Sequence, residues 1–266
     1  MMKKITTVIM LLITALVLVA CGNKNDEKTL RVGVVAHPMS TIIELAKEDF
    51  EAMGYELKII RFTDYDIVNR ALNDGEIDLN FSQHELFMNQ FNETYNGGLV
   101  HIQGIYTTPN YLYSTKYNEV SEITANSVIG IAREPINLNR ALRFLKQLGL
   151  VTFDDNITGN VTLSDITKTV DFTLELFELT GLPQFFADVD AAVMYPSFGM
   201  SAGLEVGLDT IAKEEDILKE YDISIVGRAD NKDLKIVKDF VSVVASDKTK
   251  NYLNDEFGVL YEVVFE

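Results

Sequence analysis

Short apolar runs alternate with longer amphipathic segments along the chain from residue 30 onward. The first runs predict strands at Leu30 to Val35, Leu57 to Arg61 and Ile77 to Phe81. The segments between them predict two helices. One opens at a possible capping box, Thr41 to Glu44, and ends at Gly54; the other spans Tyr65 to Asp74 and ends at Gly75. Strands separated by helices of this length imply a parallel sheet with right-handed crossovers.

A proline-containing segment, Thr107 to Tyr111, interrupts this alternation and is typical of a crossing between two parts of a fold. Further strands are predicted at Leu99 to Ile105, Val128 to Ala132, Phe172 to Phe177, Ala191 to Tyr195 and Ile223 to Val226. Two more helices are predicted at Leu138 to Leu148 and Leu234 to Ala245. We therefore expect an α/β fold with two lobes, residues 30–112 plus 215–266 and residues 113–214, and a ligand cleft at the carboxyl ends of strands.

The N-terminus carries the pattern of an export signal. Lys3 and Lys4 precede an apolar run, Ile5 to Val19, that is shorter than the roughly 20 residues of a spanning helix. The residues Leu18-Val19-Ala20-Cys21 resemble the bacterial lipobox, which implies a signal peptide over residues 1–20, acylation of Cys21 and a polar tether over residues 21–29. We expect a palmitate-type lipid anchor on the extracytoplasmic face of the cell membrane. The alternative is an ordinary signal peptide with a chance cysteine.

Composition narrows the classes of partner. Cys21 is the only cysteine, so the chain can form neither a disulfide framework nor a thiolate metal cluster, and its 47% hydrophobic content must supply the core. The formal net charge is −17. Loss of Lys3 and Lys4 with the signal makes the mature chain more acidic still, which argues against binding to nucleic acid and to anionic lipid other than through the anchor.

Residues with the spacing of a catalytic motif are scarce. The chain has no GxSxG, HExxH or GxxxxGK[ST] segment, and its three histidines, His37, His84 and His101, are far apart. A metal site built from them with carboxylates remains an alternative to histidines of the surface or core. We expect no cofactor, no metal and no enzymatic activity, although an exported hydrolase is a further alternative.

Polar side chains that follow predicted strands are the candidate ligand contacts. Arg140, one turn into a predicted helix after Asn137, is placed to hold a carboxylate with two hydrogen bonds, helped by helix N-terminal amides. The alternative is that Arg140 is a solvated helix residue or pairs with a nearby carboxylate. His84 follows the third strand and Tyr65 opens the helix after the second. Tyr195 ends a later strand, before a proline that fits a first helical turn.

Seven segments occur in the order in which one family of lipoproteins has them: RVGVV at Arg31 to Val35, FTDY at Phe62 to Tyr65, DGEIDLNFSQH at Asp74 to His84, NQF at Asn89 to Phe91, NRAL at Asn139 to Leu142, LPQFFADVDAAV at Leu182 to Val193, and AGL at Ala202 to Leu204. They resemble the NlpA/MetQ family, the lipid-anchored substrate-binding proteins of methionine-type ABC importers. The resemblance covers nearly the whole chain after the tether.

This resemblance implies a two-lobed periplasmic-binding-protein (type II) fold that closes on a small amino acid, methionine or a related one, and delivers it to an ABC permease and its ATPase. It implies a monomer with Arg140 on the ligand carboxylate. Asn137, Tyr65, His84 and Phe87 correspond to the family's other ligand-contacting positions.

Other positions depart from the family pattern. Ser82 replaces an aromatic residue, Tyr195 replaces an asparagine, and the loop Thr108-Pro109-Asn110-Tyr111 replaces an EPMG-like segment, while Leu138-Asn139 replaces a GG pair. We expect Tyr111 and Tyr195 to help shape the side-chain pocket. The departures leave open an alternative function, a surface lipoprotein whose binding fold serves adhesion or signalling without a transported ligand.

Overall fold

Thirteen strands and eight α-helices make up the described part of the chain, residues 28–266, in a computed structural model. The strands are β1 (Thr29–Val34), β2 (Glu56–Arg61), β3 (Leu79–His84), β4 (Leu99–Thr107), β5 (Tyr111–Tyr113), β6 (Val128–Ala132), β7 (Val151–Thr152), β8 (Thr167–Lys168), β9 (Thr173–Phe177), β10 (Ala191–Met194), β11 (Thr210–Lys213), β12 (Ile223–Arg228) and β13 (Glu262–Val263). The helices are α1 (Met39–Ala52), α2 (Tyr65–Asn73), α3 (Glu85–Tyr95), α4 (Pro135–Gln147), α5 (Leu182–Phe185), α6 (Pro196–Ser201), α7 (Lys235–Val244) and α8 (Asp247–Phe257). The expected signal peptide and Cys21 lie outside the described residues.

The first lobe is built on a six-stranded sheet with the order β13-β4-β12-β3-β1-β2. Strand β1 pairs in parallel with β2 and β3, which confirms the predicted βαβαβ unit. Strand β12 returns from late in the chain and pairs antiparallel to both β3 and β4. The sheet is therefore mixed, and the C-terminal part of the chain completes the first lobe.

The second lobe is built on a five-stranded sheet with the order β11-β5-β10-β6-β9, and β7 and β8 form a separate two-stranded sheet. Strand β6 pairs in parallel with β9 and β10, whereas β5 runs antiparallel to β10 and β11. The chain passes between the two large sheets between Thr107 and Tyr111 and again between Lys213 and Ile223. The expected lobe boundary after residue 112 therefore falls inside a strand, because β5 lies wholly in the second sheet.

Several predicted element boundaries differ from those of the structure. Helix α1 begins at Met39 after Pro38, with no side-chain cap, so the predicted capping box at Thr41 to Glu44 lies inside the helix. The predicted third strand starts too early, because Ile77 lies in a turn where its N–H donates to the carbonyl of Ala71. Strand β3 instead runs to His84, which brings this side chain to the strand end itself.

Helix α4 begins at Pro135, three residues before the predicted start, because proline fits the first helical turn without losing a hydrogen bond. This earlier start places Asn137 in the first turn. A cluster of buried apolar and aromatic residues joins the lobes, since Tyr195 and Phe198 of the second lobe pack with Tyr65 of the first. No helix within residues 28–266 combines the length and apolar content needed to cross a bilayer.

Candidate functional site

A pocket lies between the two lobes and has walls from both. The cavity between its lining atoms has a volume of about 30 Å³, well below the about 300–1,000 Å³ of small-molecule sites, so the two lobes lie close together around it. The first lobe contributes mainly aromatic and uncharged polar side chains, among them Met39, Tyr65, Ser82, His84, Phe87, Tyr106 and Tyr261. The second lobe contributes Asn137, Leu179, Tyr195, Ser197 and Phe198.

His84 is held rigidly because it both ends β3 and caps α3. Its Nδ1 accepts a hydrogen bond of 3.2 Å from the backbone N–H of Phe87, so the neutral ring carries its proton on Nε2. Burial, together with the positive charge of Arg140, lowers the pKa of His84 to about 3. The ring is therefore neutral at physiological pH and presents an N–H donor to the cleft.

Asn137 meets this donor from the other lobe. Its Oδ1 lies 3.4 Å from His84 Nε2, which joins β3 of the first lobe to α4 of the second. Because the oxygen of the amide faces His84, its NH₂ group is available to a ligand. Asn137 is buried and lines the pocket.

Tyr65 and Phe87 form an aromatic corner of the first-lobe wall. Tyr65 begins α2, whose N-terminus is capped by the Asp64 carboxylate through two 2.8 Å hydrogen bonds from backbone N–H groups. The two rings are 5.9 Å apart in an edge-to-face arrangement. Burial raises the pKa of Tyr65, so its hydroxyl remains protonated and is a possible donor to a ligand.

Arg140 lies behind the pocket rather than in its wall. Its side chain is 2% exposed, and Glu214, 8% exposed, accepts hydrogen bonds from Nε and from Nη2 at 2.8–3.1 Å. Nη2 also donates to the carbonyl of Thr108 at 2.8 Å, and the guanidinium stacks over Tyr221 at 4.3 Å. Of the alternatives for this residue, the structure shows pairing with a carboxylate.

Tyr195 connects Arg140 to the pocket. Its hydroxyl accepts a 3.2 Å hydrogen bond from Arg140 Nη1, and its ring lines the pocket. Within the described residues the hydroxyl hydrogen has no acceptor, so it can be donated to a ligand. The hydrogen bond from Arg140 therefore polarises the hydroxyl of Tyr195 and makes it a stronger donor.

Glu214, the partner of Arg140, was not among the site residues predicted from the sequence. It follows β11 directly and also accepts a 2.8 Å hydrogen bond from the N–H of Asn110, in the first crossing. In the sequence it lies in a charged run, Lys213 to Glu220, that is typical of a solvated surface. Its position directly after an apolar strand is the sequence feature that could have indicated a buried role for Glu214.

Five of the seven candidate ligand contacts line one pocket: Tyr65, His84, Phe87, Asn137 and Tyr195. Tyr111 does not, because its side chain points into the second lobe beside Tyr113, with the rings 6.1 Å apart. Tyr106 was missed, although it lies near the end of β4 and donates to Met39 Sδ at 3.0 Å in the pocket wall. Residues 28–266 contain no group of three or more metal-ligating side chains.

Comparisons with known proteins agree with this architecture. A family model described as NlpA lipoprotein matches residues 30–262. The membrane lipoprotein TpN32 of Treponema pallidum is 33% identical over 240 residues, 90% of this chain and 89% of the relative. The D-methionine-binding lipoprotein MetQ of Escherichia coli K12 is 30% identical over 253 residues, 93% of either chain.

Among solved structures, a nutrient binding protein from Burkholderia cenocepacia bound to methionine superimposes with a TM-score of 0.83 at 28% identity, over 89% of this chain and all of the other. The two lobes therefore have the periplasmic substrate-binding fold. The chain belongs to the NlpA lipoprotein family, which consists of substrate-binding lipoproteins of ABC transport and not of enzymes.

Proposed function

We propose that the chain captures a small amino acid, methionine or a related one, between its lobes and delivers it to the permease and ATPase of an ABC importer. The observation that carries the proposal is the pocket shared by the two lobes, with an aromatic wall on one side and hydrogen-bond donors on the other. The methionine-bound relative and the MetQ relatives support methionine as the first ligand to test.

The donors fit a carboxylate. Asn137 and Tyr195 both line the pocket, their amide NH₂ and hydroxyl are the donors we assign to the carboxylate, and the hydrogen bond from Arg140 polarises that hydroxyl. Arg140 thus acts on the carboxylate through Tyr195, because Glu214 and the Thr108 carbonyl already accept hydrogen bonds from its Nε and Nη2 groups. Hydrogen bonds polarised by a buried cation are stronger than those of isolated neutral groups.

The first-lobe wall fits an uncharged side chain. Tyr65, Phe87 and Tyr106 present ring faces and edges, and a thioether makes favourable contacts with aromatic rings at about 5 Å. Ser82 leaves room where a ring would narrow the pocket, and its hydroxyl is hydrogen-bonded to Asn80. The wall therefore accepts methionine and also a branched or aromatic side chain of similar volume.

Closure brings the two sets of contacts together. The His84–Asn137 hydrogen bond joins the lobes across the pocket, so opening breaks it and ligand binding favours keeping it. The lipid on Cys21 holds this receptor at the extracytoplasmic face of the membrane, and the polar tether lets a monomer reorient toward the permease.

Native mass spectrometry of the freshly purified mature chain, followed by calorimetry with the twenty amino acids and D-methionine, tests the proposal. We expect a retained ligand of amino-acid mass and a Kd of about 1 μM or tighter, that is about 8 kcal/mol of binding free energy. A chain without retained ligand that gives no heat with any member of the panel contradicts it.

The alternative, a binding fold that serves adhesion or signalling, has two observations in its favour. The Arg140–Glu214 pair neutralises the cation expected to anchor the ligand, and the Tyr195 side chain is 9% exposed and occupies part of the cleft. A ligand-free crystal structure with the pocket closed by its own side chains, together with no calorimetric signal, favours this alternative.

A further inference from the structure

Glu134 holds a buried carboxylate oxygen that accepts no hydrogen bond from any described residue. It immediately precedes α4, and its Oε1 accepts a 3.0 Å hydrogen bond from the backbone N–H of Leu179. Its Oε2 has almost no exposed surface and no hydrogen-bond partner, which makes it the one such carboxylate oxygen among residues 28–266. An unpaired buried carboxylate destabilises a fold, so we expect this glutamate to have a function that offsets the loss of stability.

Glu134 adjoins the interlobe pocket without lining it: Glu134 lines a neighbouring pocket together with Phe87, and both Phe87 and Leu179, the backbone partner of Glu134, line the interlobe pocket. The charge of Glu134 contributes to the raised pKa values of Tyr65 and Tyr195, whose rings line the pocket from opposite lobes. Glu134 is three residues from Asn137 along the start of α4.

The other charged groups nearby are already paired. Arg133 forms an exposed ion pair with Glu178, and Arg140 is held by Glu214. Burial raises the pKa of Glu134; the Glu178 charge acts in the same direction, and hydrogen bonds from backbone N–H groups and the charge of Arg133 oppose it. The second lobe therefore carries, beside the pocket, one carboxylate that has no cationic partner of its own among the described residues.

We propose that Glu134 Oε2 accepts a hydrogen bond from the ammonium group of the ligand, so that the pocket selects zwitterionic amino acids with a free amine over carboxylates that lack one. This assignment rests on the proposed function. The ammonium and carboxylate of an amino acid are attached to the same carbon, which matches an acceptor and a donor, Glu134 and Asn137, three residues apart on one helix start. The ammonium group of the ligand then supplies the positive charge that pairs with the Glu134 carboxylate.

Calorimetry with Glu134→Gln tests this assignment, because glutamine has the same shape and keeps the acceptor for the Leu179 N–H. The probes are L-methionine and its des-amino analogue, 4-(methylsulfanyl)butanoate. We expect the substitution to weaken L-methionine binding by about 10- to 100-fold, in line with a hydrogen bond between charged groups. We expect the wild-type chain to bind the analogue far more weakly than L-methionine and Glu134→Gln to bind it no worse than wild type.

Glu178→Gln is the matched control, since it removes a neighbouring but exposed carboxylate, and it should leave both affinities within about two-fold. Without ligand, Glu134→Gln should melt at the same temperature as wild type or higher, because it removes a buried unpaired charge. A role of Glu134 in the fold alone predicts a lower melting temperature and no discrimination between the probes.

The pH dependence of the wild-type chain gives a second readout that needs no variant to fold. An ammonium partner favours ionised Glu134, so L-methionine affinity should fall as the pH is lowered from about 7.5 to about 5.5, a range in which the carboxyl groups of both probes stay ionised, whereas the affinity for the des-amino analogue should not fall. Unchanged L-methionine affinity in Glu134→Gln overturns the assignment and leaves the proposed function standing. A wild-type chain that binds neither probe nor any amino acid overturns both.

Discussion

The two walls of the cleft differ in the charged groups that lie in them and behind them. The first-lobe wall consists mainly of aromatic, apolar and uncharged polar side chains, and burial lowers the pKa of both its imidazoles, His37 and His84, that of His84 to about 3. The second-lobe wall has three charged groups at or behind it: Arg140 and Glu214, which compensate each other, and Glu134, which has no partner of its own. The first lobe is suited to discriminate side chains and the second to recognise the zwitterionic head group.

The charged groups of the second lobe are therefore of two kinds: a pair that stabilises the fold and a carboxylate that is available to a ligand. The Arg140–Glu214 pair is 2% and 8% exposed, held by several hydrogen bonds and joined to the first crossing through Asn110 and Thr108, as expected of a group that stabilises the fold. Glu134 is incompletely satisfied, as expected of a group that a ligand completes. Substitutions on each side should therefore affect different quantities.

The largest expected effect comes from breaking the buried pair. Glu214→Gln leaves the Arg140 guanidinium buried without a counter-charge, so the free energy of unfolding should fall by about 3–5 kcal/mol in urea denaturation. The exposed pair Arg133–Glu178 is the matched control, and Glu178→Gln should change stability by less than about 1 kcal/mol. The double variant Arg140→Met with Glu214→Leu should recover part of the loss, whereas a Glu214→Gln chain as stable as wild type would show that the pair does not stabilise the fold.

A smaller effect, on affinity rather than stability, should follow from Tyr195→Phe. The substitution removes only the hydroxyl that links Arg140 to the pocket, so L-methionine affinity should fall by about 10-fold in calorimetry, equivalent to about 1.4 kcal/mol. Tyr111→Phe is its control, because Tyr111 is buried outside the pocket and its hydroxyl should not affect binding. Equal losses in the two variants would contradict the assignment of the carboxylate to Tyr195.

The smallest effect at neutral pH should come from His84→Asn. Asparagine can still cap α3, but it cannot ionise. The pKa of His84 is about 3 in the fold, against about 6.5 in an unfolded chain. The unfolded chain therefore binds one more proton between these values, and wild-type stability should fall as the pH drops from about 6.5 to about 3, by up to about 1.4 kcal/mol per pH unit.

The difference between the two stability curves isolates His84, because other titrating groups are common to both chains. His84→Asn should lose stability less steeply over this interval, measured by thermal unfolding in a pH series. Parallel curves for the two chains would show that the imidazole is not buried in its neutral form.

Most of the fold followed from the sequence where the pattern and the packing agree. Strands β1 and β6 read as apolar runs because they are largely buried and lie between parallel neighbours, and Gly75 follows α2 with a positive φ of 76°. The start of α1 was missed because the chain enters the helix through Pro38 without a side-chain cap. Ile77 was assigned to a strand because a buried turn residue is as apolar as a strand residue.

The site was only partly predictable for a similar reason. The sequence and its family resemblance predicted a common role as ligand contacts for five residues that line one pocket in the structure: Tyr65, His84, Phe87, Asn137 and Tyr195. They did not separate Arg140 from the pocket wall, because its partner Glu214 is 74 positions away and lies in a run that reads as solvent-exposed. Contacts between distant segments, such as this pair and the orphan oxygen of Glu134, are properties of the tertiary structure.

A crystal structure of the mature chain with L-methionine tests the central claim most directly. We expect the amino acid between the lobes, with its ammonium nitrogen within about 3 Å of Glu134 Oε2, its carboxylate on Asn137 and the Tyr195 hydroxyl, and Arg140 still paired with Glu214. A pocket filled by its own side chains, or a carboxylate bound directly to Arg140 with Glu214 displaced, would contradict the account.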